Sequence, residues 1–198
     1  MSNIPPQLDE QFWNQRYLTQ NTGWDIGHIS TPLQQYFAQY SNKDASILIP
    51  GCGNAYEAAY LLQSGFTQVT VVDISQYAID AVTRRLHPYM GNALTVVHAD
   101  FFDLSGQYDL IVEQTFFCAL HPSLRKQYAM HMHRLLKPGG KLMGLYFNRP
   151  FEVSPPFGGS IAIYQSLFEP LFTIKKMEPC YNSIAARANT ELFVVLQK

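Results

Sequence analysis

The stretch from Ser46 to Ser75 constrains the fold more than any other part of the chain. It reads Ser-Ile-Leu-Ile-Pro-Gly-Cys-Gly-Asn-Ala-Tyr-Glu, then a segment of helical character, then Val69-Thr-Val-Val-Asp73-Ile-Ser75. The run Ile47 to Ile49 is short, β-branched and closed by Pro50 and Gly51, as a strand buried on both faces of a parallel sheet requires. Gly51 and Gly53 let the backbone turn sharply and approach a ligand with no Cβ in the way. Asp73 ends the next apolar run about 20 residues on, where a Rossmann-like βαβ unit places a carboxylate for ribose hydroxyls. The third glycine of the dinucleotide pattern is Tyr56 here, and the helix is expected to start at Asn54. That glycine serves close packing beside a pyrophosphate, so its absence points to a smaller adenosine ligand. The competing reading is a structural βα turn with a surface Asp at a strand end.

At 198 residues the length suits one domain over 1–198 with a substantial core. With 47% hydrophobic and 15% charged residues the chain is globular, and a net charge of -1 gives no basic footprint for nucleic acid or a membrane surface. Its 3 cysteines, Cys52, Cys118 and Cys180, are odd in number and far apart, which argues for a reducing compartment and against a disulfide framework or a metal site. No apolar run approaches transmembrane length, and the first residues lack the pattern of a signal peptide. A cytoplasmic location is expected.

The segment before the first strand carries both tryptophans. Leu8 to Leu18 has a helical rhythm that brings Phe12, Trp13 and Tyr17 to neighbouring faces, and Trp24 sits in the loop Gly23 to His28. These aromatics either cover a hydrophobic edge or form a cap over residues 1–40 that closes on a sulfonium or an adenosine. Thr31 reads as the N-cap of a short helix with Pro32 at its first position.

Further along, Ser75 caps a helix to about Leu86, Leu94 to His98 is a strand, and Asp100-Phe101-Phe102-Asp103 follows its carboxyl end. That acid and aromatic suit an adenine edge and face, unless the phenylalanines are simply core. Tyr108 to Glu113 is a fourth strand that delivers Gln114 to Cys118 to the crevice. A helix spans Pro122 to Lys137, and Lys137-Pro138-Gly139-Gly140 stops it before a fifth strand, Lys141 to Phe147. His131 and His133 lie two apart, on different helix faces, and read as packing or surface groups. The loop Asn148 to Gly159 is too long for a plain connection and reads as a lid or binding loop. Helix 161–169 and strands near Leu171 to Met177 and Thr190 to Leu196 finish the chain, the latter two as an antiparallel hairpin.

Several of these runs together resemble the class I S-adenosylmethionine-dependent methyltransferases, and within them the thiopurine S-methyltransferase family, in its thiol and halide methyltransferase branch. The residues that carry the likeness are Trp13 with Gly23-Trp24-Asp25-Ile26-Gly27; Pro50-Gly51-Cys52-Gly53; Val72-Asp73-Ile74-Ser75; Asp100-Phe101-Phe102; Thr115-Phe116-Phe117-Cys118-Ala119; Lys137-Pro138-Gly139-Gly140; and Pro155-Pro156-Phe157. The resemblance implies an α/β fold, a Rossmann-like doubly wound mixed sheet of about seven strands with an N-terminal helical cap. It implies S-adenosylmethionine as cofactor, with Trp13 and Trp24 covering it, Gly51 against its methionine part and Asp73 on the ribose. Asp100 and Phe101 would take the adenine, and Gln114 would stand beside the transferred methyl. Tyr17 occupies a place where the family often has another tryptophan, and Gln114 one where it has tyrosine or arginine.

The implied reaction moves a methyl group to a small soft nucleophile: thiol, bisulfide, halide or thiopurine. A thiol reacts as its thiolate, already a few per cent ionised at neutral pH, so no dedicated base is required. Accordingly no catalytic nucleophile and base pair stands out; Glu113, His121 and Tyr146 are positioning candidates, and no metal is called for. A monomer or weak dimer acting on a small molecule is expected. The alternatives are O- or N-methyl transfer on the same fold, and a non-catalytic protein that senses the cofactor.

Overall fold

The computed structural model describes residues 7–198, so the first six residues of the expected cap lie outside the described residues. Seven strands form one sheet in the order β3-β2-β1-β4-β5-β7-β6: β1 (Ser46–Pro50), β2 (Gln68–Asp73), β3 (Leu94–His98), β4 (Tyr108–Gln114), β5 (Leu136–Phe147), β6 (Thr173–Pro179) and β7 (Glu191–Gln197). The first five run parallel; β7 inserts antiparallel between β5 and the edge strand β6. The chain reverses its direction of travel across the sheet between β1 and β4, so the carboxyl ends of those two strands flank the crevice where such folds take ligands.

Strand periodicity divides the core. Ile47, Ile49, Leu110 and Val112 face one layer with Val69 and Val71, while Leu48, Ile111 and Val72 face the other. The first layer is covered by α2 (Thr31–Ala38), α3 (Tyr56–Gln63) and α4 (Gln76–Arg85), through Leu33, Phe37, Leu61 and Val82. The second is covered by α5 (Arg125–Leu135) and α6 (Ile161–Phe168), where Tyr128, Met132, Tyr164 and Phe168 pack with Phe117 and Tyr146. Helix α1 (Glu10–Leu18) lies at the carboxyl end of the sheet, held to α4 by Asn14, whose Oδ1 accepts from Ser75 Oγ at 2.7 Å, and to β3 by Glu10, 3.4 Å from His98 Nε2.

Four local expectations shift. The N-cap of α2 is Ser30, one residue earlier than Thr31, because extended geometry (ψ 146) ends there and Thr31 and Pro32 are both helical. Helix α3 begins at Tyr56, not at Asn54: Ala55 is left-handed (φ 49), and Asn54 turns its side chain to the cap instead of capping the helix. The helix expected from Pro122 is a 3₁₀ turn, Pro122–Leu124, followed by α5 ending at Leu135. Strand β5 already begins at Leu136, paired with Tyr108, and the Pro-Gly-Gly segment is looped out before Lys141 pairs with Leu110. Gly140 is needed there, because a Cβ would stand 2.9 Å from Lys137 O and 3.0 Å from Tyr108 O.

Ser75 joins cap and core: its Oγ accepts from Ala78 N at the start of α4 and donates to Asn14. Ser75→Ala is expected to cost about 1 kcal/mol, lowering the melting temperature by about 2–4 °C in calorimetry. An unchanged melting temperature would remove this link from the account.

Candidate active site

The turn after β1 sets the floor of the site. Gly51 and Gly53 hold φ of +56 and +50, a region that costs a side-chain-bearing residue strain. Space excludes a side chain at Gly51, where a Cβ would run into the Phe116 ring, and is tight at Gly53, where one would come 3.1 Å from the Tyr17 hydroxyl. The amide of Gly53 donates to Asp73 Oδ2 at 2.9 Å and that of Ser75 to Oδ1 at 2.9 Å. Burial raises the Asp73 carboxyl above its ordinary value, and these amide bonds oppose the rise. Each oxygen keeps capacity for a further donor.

Above the turn stands an aromatic group: Trp24 meets Trp13 at 5.6 Å and Tyr17 at 5.7 Å, both edge to face. Asp25 pins its loop, accepting from Gly27 N at 2.7 Å, from the Asn54 side-chain amide and from the Tyr56 hydroxyl at 3.4 Å. Arg187 pins it from the far side, donating from Nη2 to Trp24 O at 2.7 Å while Nη1 meets Glu191 at 3.4 Å.

A cavity of about 920 Å³ lies between cap, turn and strand ends. All seven residues expected at a cofactor site line it: Trp13, Trp24, Gly51, Asp73, Asp100, Phe101 and Gln114. They contribute differently. Asp100 is exposed, with Oδ1 accepting from Phe102 N at 2.9 Å. Phe101 is 5% exposed, its ring packed on Phe116 and, at 4.6 Å, on His131, so it serves the core as well as the cavity wall. Gln114 has a buried Oε1 without a partner. Of the positioning candidates, His121 also lines the cavity, its Nδ1 occupied by Ser123; Glu113 and Tyr146 are buried beneath it, at 1% and 2% exposure. His133 packs on Phe172.

The far wall of the cavity includes Phe147, Arg149, Phe151, Pro155, Pro156 and Arg187. The loop after β5 is docked there by Phe157 N donating to Cys118 O at 2.6 Å and by Arg125 Nη2 donating to Gly158 O at 2.7 Å. Sequence reasoning did not single out Arg149, Arg187, Glu57 or Phe116. Asp25 and Phe116 lay within quoted runs, whereas no local pattern marks Arg187, whose partners are 163 residues back and on β7. Burial pushes the thiols of Cys52 and Cys118 well up, so neither is an ionised nucleophile at neutral pH. Among the described residues no group of three or more His, Cys, Asp or Glu is placed to hold a metal ion, and no helix is long and apolar enough to cross a membrane.

Over 100% of its length the chain superposes on 93% of the solved structure of Burkholderia thailandensis 1,6-didemethyltoxoflavin-N1-methyltransferase, crystallised with 1,6-didemethyltoxoflavin and S-adenosylhomocysteine, at a TM-score of 0.78 and 17% identity. The seven-stranded architecture is that of an S-adenosylmethionine-dependent methyltransferase. A family model described as thiopurine S-methyltransferase matches residues 8–193, and the chain belongs to that family. It is 31% identical to a probable thiol methyltransferase 2 of Arabidopsis thaliana over 80% of this chain and 72% of that protein. It is 30% identical to thiocyanate methyltransferase 1 of Brassica oleracea over 95% of this chain and 85% of that protein. The chain is thus an enzyme, with S-adenosylmethionine as its cofactor.

Glu57, half-buried on the cavity wall in the first turn of α3, is pushed up to about 7 by burial, while its own backbone amide, Arg85 and Arg187 pull it back and Asp25 adds a little to the rise. A carboxyl bound more tightly to its proton in the folded than in the unfolded state costs stability as pH rises through the folded value. Glu57→Gln is therefore expected to melt about 2–4 °C above the unsubstituted protein at pH 8, for about 1 kcal/mol, and to lose that advantage at pH 5. A difference that does not change with pH would contradict this assignment.

Proposed function

We propose that this enzyme transfers the methyl group of S-adenosylmethionine to a small soft nucleophile, and that its acceptor is an anionic thiol entering between the cap and the loop after β5. One observation carries the reading: a single cavity runs from Asp73 and Asp100, past Gly51 and Gln114, to Arg149, Arg187, Phe147 and Phe151. At about 920 Å³ it is at the upper end of small-molecule sites, enough for a nucleoside cofactor and an acceptor together.

The residues fit that cofactor. Asp73 has acceptor capacity for two ribose hydroxyls, Asp100 stands at the adenine end, and Trp13 and Trp24 offer aromatic faces to a cation. Gly51 leaves bare backbone beside the methionine part, and Gln114 lines the cavity next to it. Bound S-adenosylmethionine supplies an activated methyl group on a sulfonium leaving group, so the chain has only to bind, orient and exclude water. The cap aromatics and the docked loop exclude water, and Arg149, which has no carboxylate partner among the described residues, attracts an anion to the far wall, where Arg187 is already neutralised by Glu191. The thiolate needs no base, and the cavity's own cysteines are neutral and do not compete as nucleophiles. Family membership and the names of the plant relatives support the same acceptor class. A cytoplasmic setting is in keeping with three buried, free cysteines.

Labelled S-adenosylmethionine assayed against iodide, bisulfide, thionitrobenzoate, a thiopurine and a catechol is expected to give S-methyl products from the sulfur acceptors, with the anionic arene thiol preferred, and no product from the catechol. In the same assay Asp73→Ala is expected to weaken cofactor binding by about 1–3 kcal/mol, through lost charge-assisted bonds to the ribose. Product from the catechol alone, or turnover of no acceptor despite cofactor binding, would overturn the soft-nucleophile reading. An unchanged affinity would remove Asp73 from the site.

A further inference from the structure

Below Gln114 a carboxylate is buried at 1% exposure in a place where a neutral turn residue would fill the space at lower desolvation cost. Glu113, next to last in β4, bends its side chain back over the following turn. Its Oε2 accepts from Phe116 N at 3.2 Å and from Phe117 N at 3.1 Å, and its Oε1 has no partner. The sheet makes room for it: Gly144 is its neighbour on β5, and a Cβ there would stand 2.9 Å from Oε1.

The turn that this carboxylate spans is strained. Thr115 holds φ +62, a left-handed conformation that is a true outlier for a β-branched side chain. Such strain persists only where the surroundings over-determine it, and here the two amide bonds from the next two residues do so. The consequence is local and directed at the cavity. Gln114 lies immediately before the strained residue, and Phe116 immediately after it, with its ring against Gly51 where a Cβ would otherwise be.

We propose that Glu113 is a positioning residue for methyl transfer: by gripping the amides of Phe116 and Phe117 it holds Thr115 left-handed and so fixes Gln114 and Phe116 beside Gly51. The inference rests on the cofactor placement proposed above. It concerns alignment more than affinity, because Asp73 and Asp100 lie at the other end of the cavity. The grip is strongest when the carboxylate is ionised, since amide bonds to a charged acceptor are the stronger ones. Burial pushes the Glu113 carboxyl up to about 7, with the two amides and the nearby Tyr146 hydroxyl opposing the rise and Glu191 adding to it. The other groups around it are Arg187, in the turn before β7, Cys118, Tyr146 on β5, Tyr128 on α5 and Tyr164 on α6; the thiol and the phenols are all raised by burial and stay neutral below pH 9. Glu191 is raised as well, and Glu57 and Asp73 titrate elsewhere in the site, so the substitution at position 113 is what assigns a pH effect.

The test uses S-adenosylhomocysteine affinity by calorimetry, and turnover of thionitrobenzoate, an arene thiol ionised throughout the range, from pH 6 to 9. In the unsubstituted protein kcat is expected to fall as pH drops through about 7. Glu113→Gln is expected to keep the S-adenosylhomocysteine affinity within about threefold, lower kcat at least tenfold at pH 8, and abolish the limb near 7. Thr115→Gly should match or exceed the original melting temperature, since glycine holds a positive φ without strain, yet lose at least threefold in kcat. Wild-type kcat and an intact limb in Glu113→Gln, or a stable Thr115→Gly with undiminished kcat, would overturn the proposal and leave the cofactor site standing. Failure of the unsubstituted protein to bind S-adenosylhomocysteine would instead overturn the placement on which it rests.

Discussion

The site depends on one carboxylate caught between two backbone amides. Asp73, at the end of β2, accepts from Gly53 in the turn after β1 and from Ser75 at the start of α4. Three consecutive parts of the βαβ unit are thereby referred to one pair of oxygens. Through Ser75 and Asn14 the cap is referred to the same point, and through the Tyr17 hydroxyl over Gly53 it is pressed onto it. A buried carboxylate held in this way loses little when a sugar hydroxyl replaces water, because its orientation has already been fixed by the fold.

A second device closes the other end. Arg187 is buried at 8% exposure and neutralised by Glu191, and it spends a donor on the Trp24 carbonyl. An ion pair of this kind adds little net stability, since desolvation offsets attraction. Its value here is geometric: it ties the cap, near the start of the chain, to the turn before the last strand, so that cofactor end and acceptor end share one roof. The raised carboxyls of Glu57 and Glu113 belong to the same economy, in which folding stability is given up at a functional site.

Much of this was legible in the chain itself, for definite reasons. The β1-turn-α3-β2 unit announces itself because burial on both faces demands β-branched runs, the turn demands glycine, and the strand end presents Asp73. The antiparallel finish was legible from backbone chemistry, whereas Lys-Pro-Gly-Gly, which reads as a helix stop, lies looped out within β5 after the helix has already ended at Leu135. What was not legible depends on contacts between distant residues. Asn54 looks like a helix start, but Asp25 recruits its side chain and Ala55 goes left-handed. Phe101 reads as an adenine face and lines the cavity, but no local pattern shows that three further aromatic neighbours and His131 also pack on its ring. Arg187 sits in an alanine-rich turn that carries no motif, and only the folded chain brings it to Trp24.

The central claim is that the cavity between cap and sheet seats the cofactor with its ribose on Asp73 and its sulfur between Gly51 and Gln114. A crystal structure with S-adenosylhomocysteine tests it most directly. The account predicts both ribose hydroxyls within hydrogen-bond distance of the Asp73 carboxylate and the sulfur beside Gln114, facing the wall formed by Phe147, Arg149 and Arg187. A nucleoside bound elsewhere in the cavity, with Asp73 holding only its two amides, would contradict it.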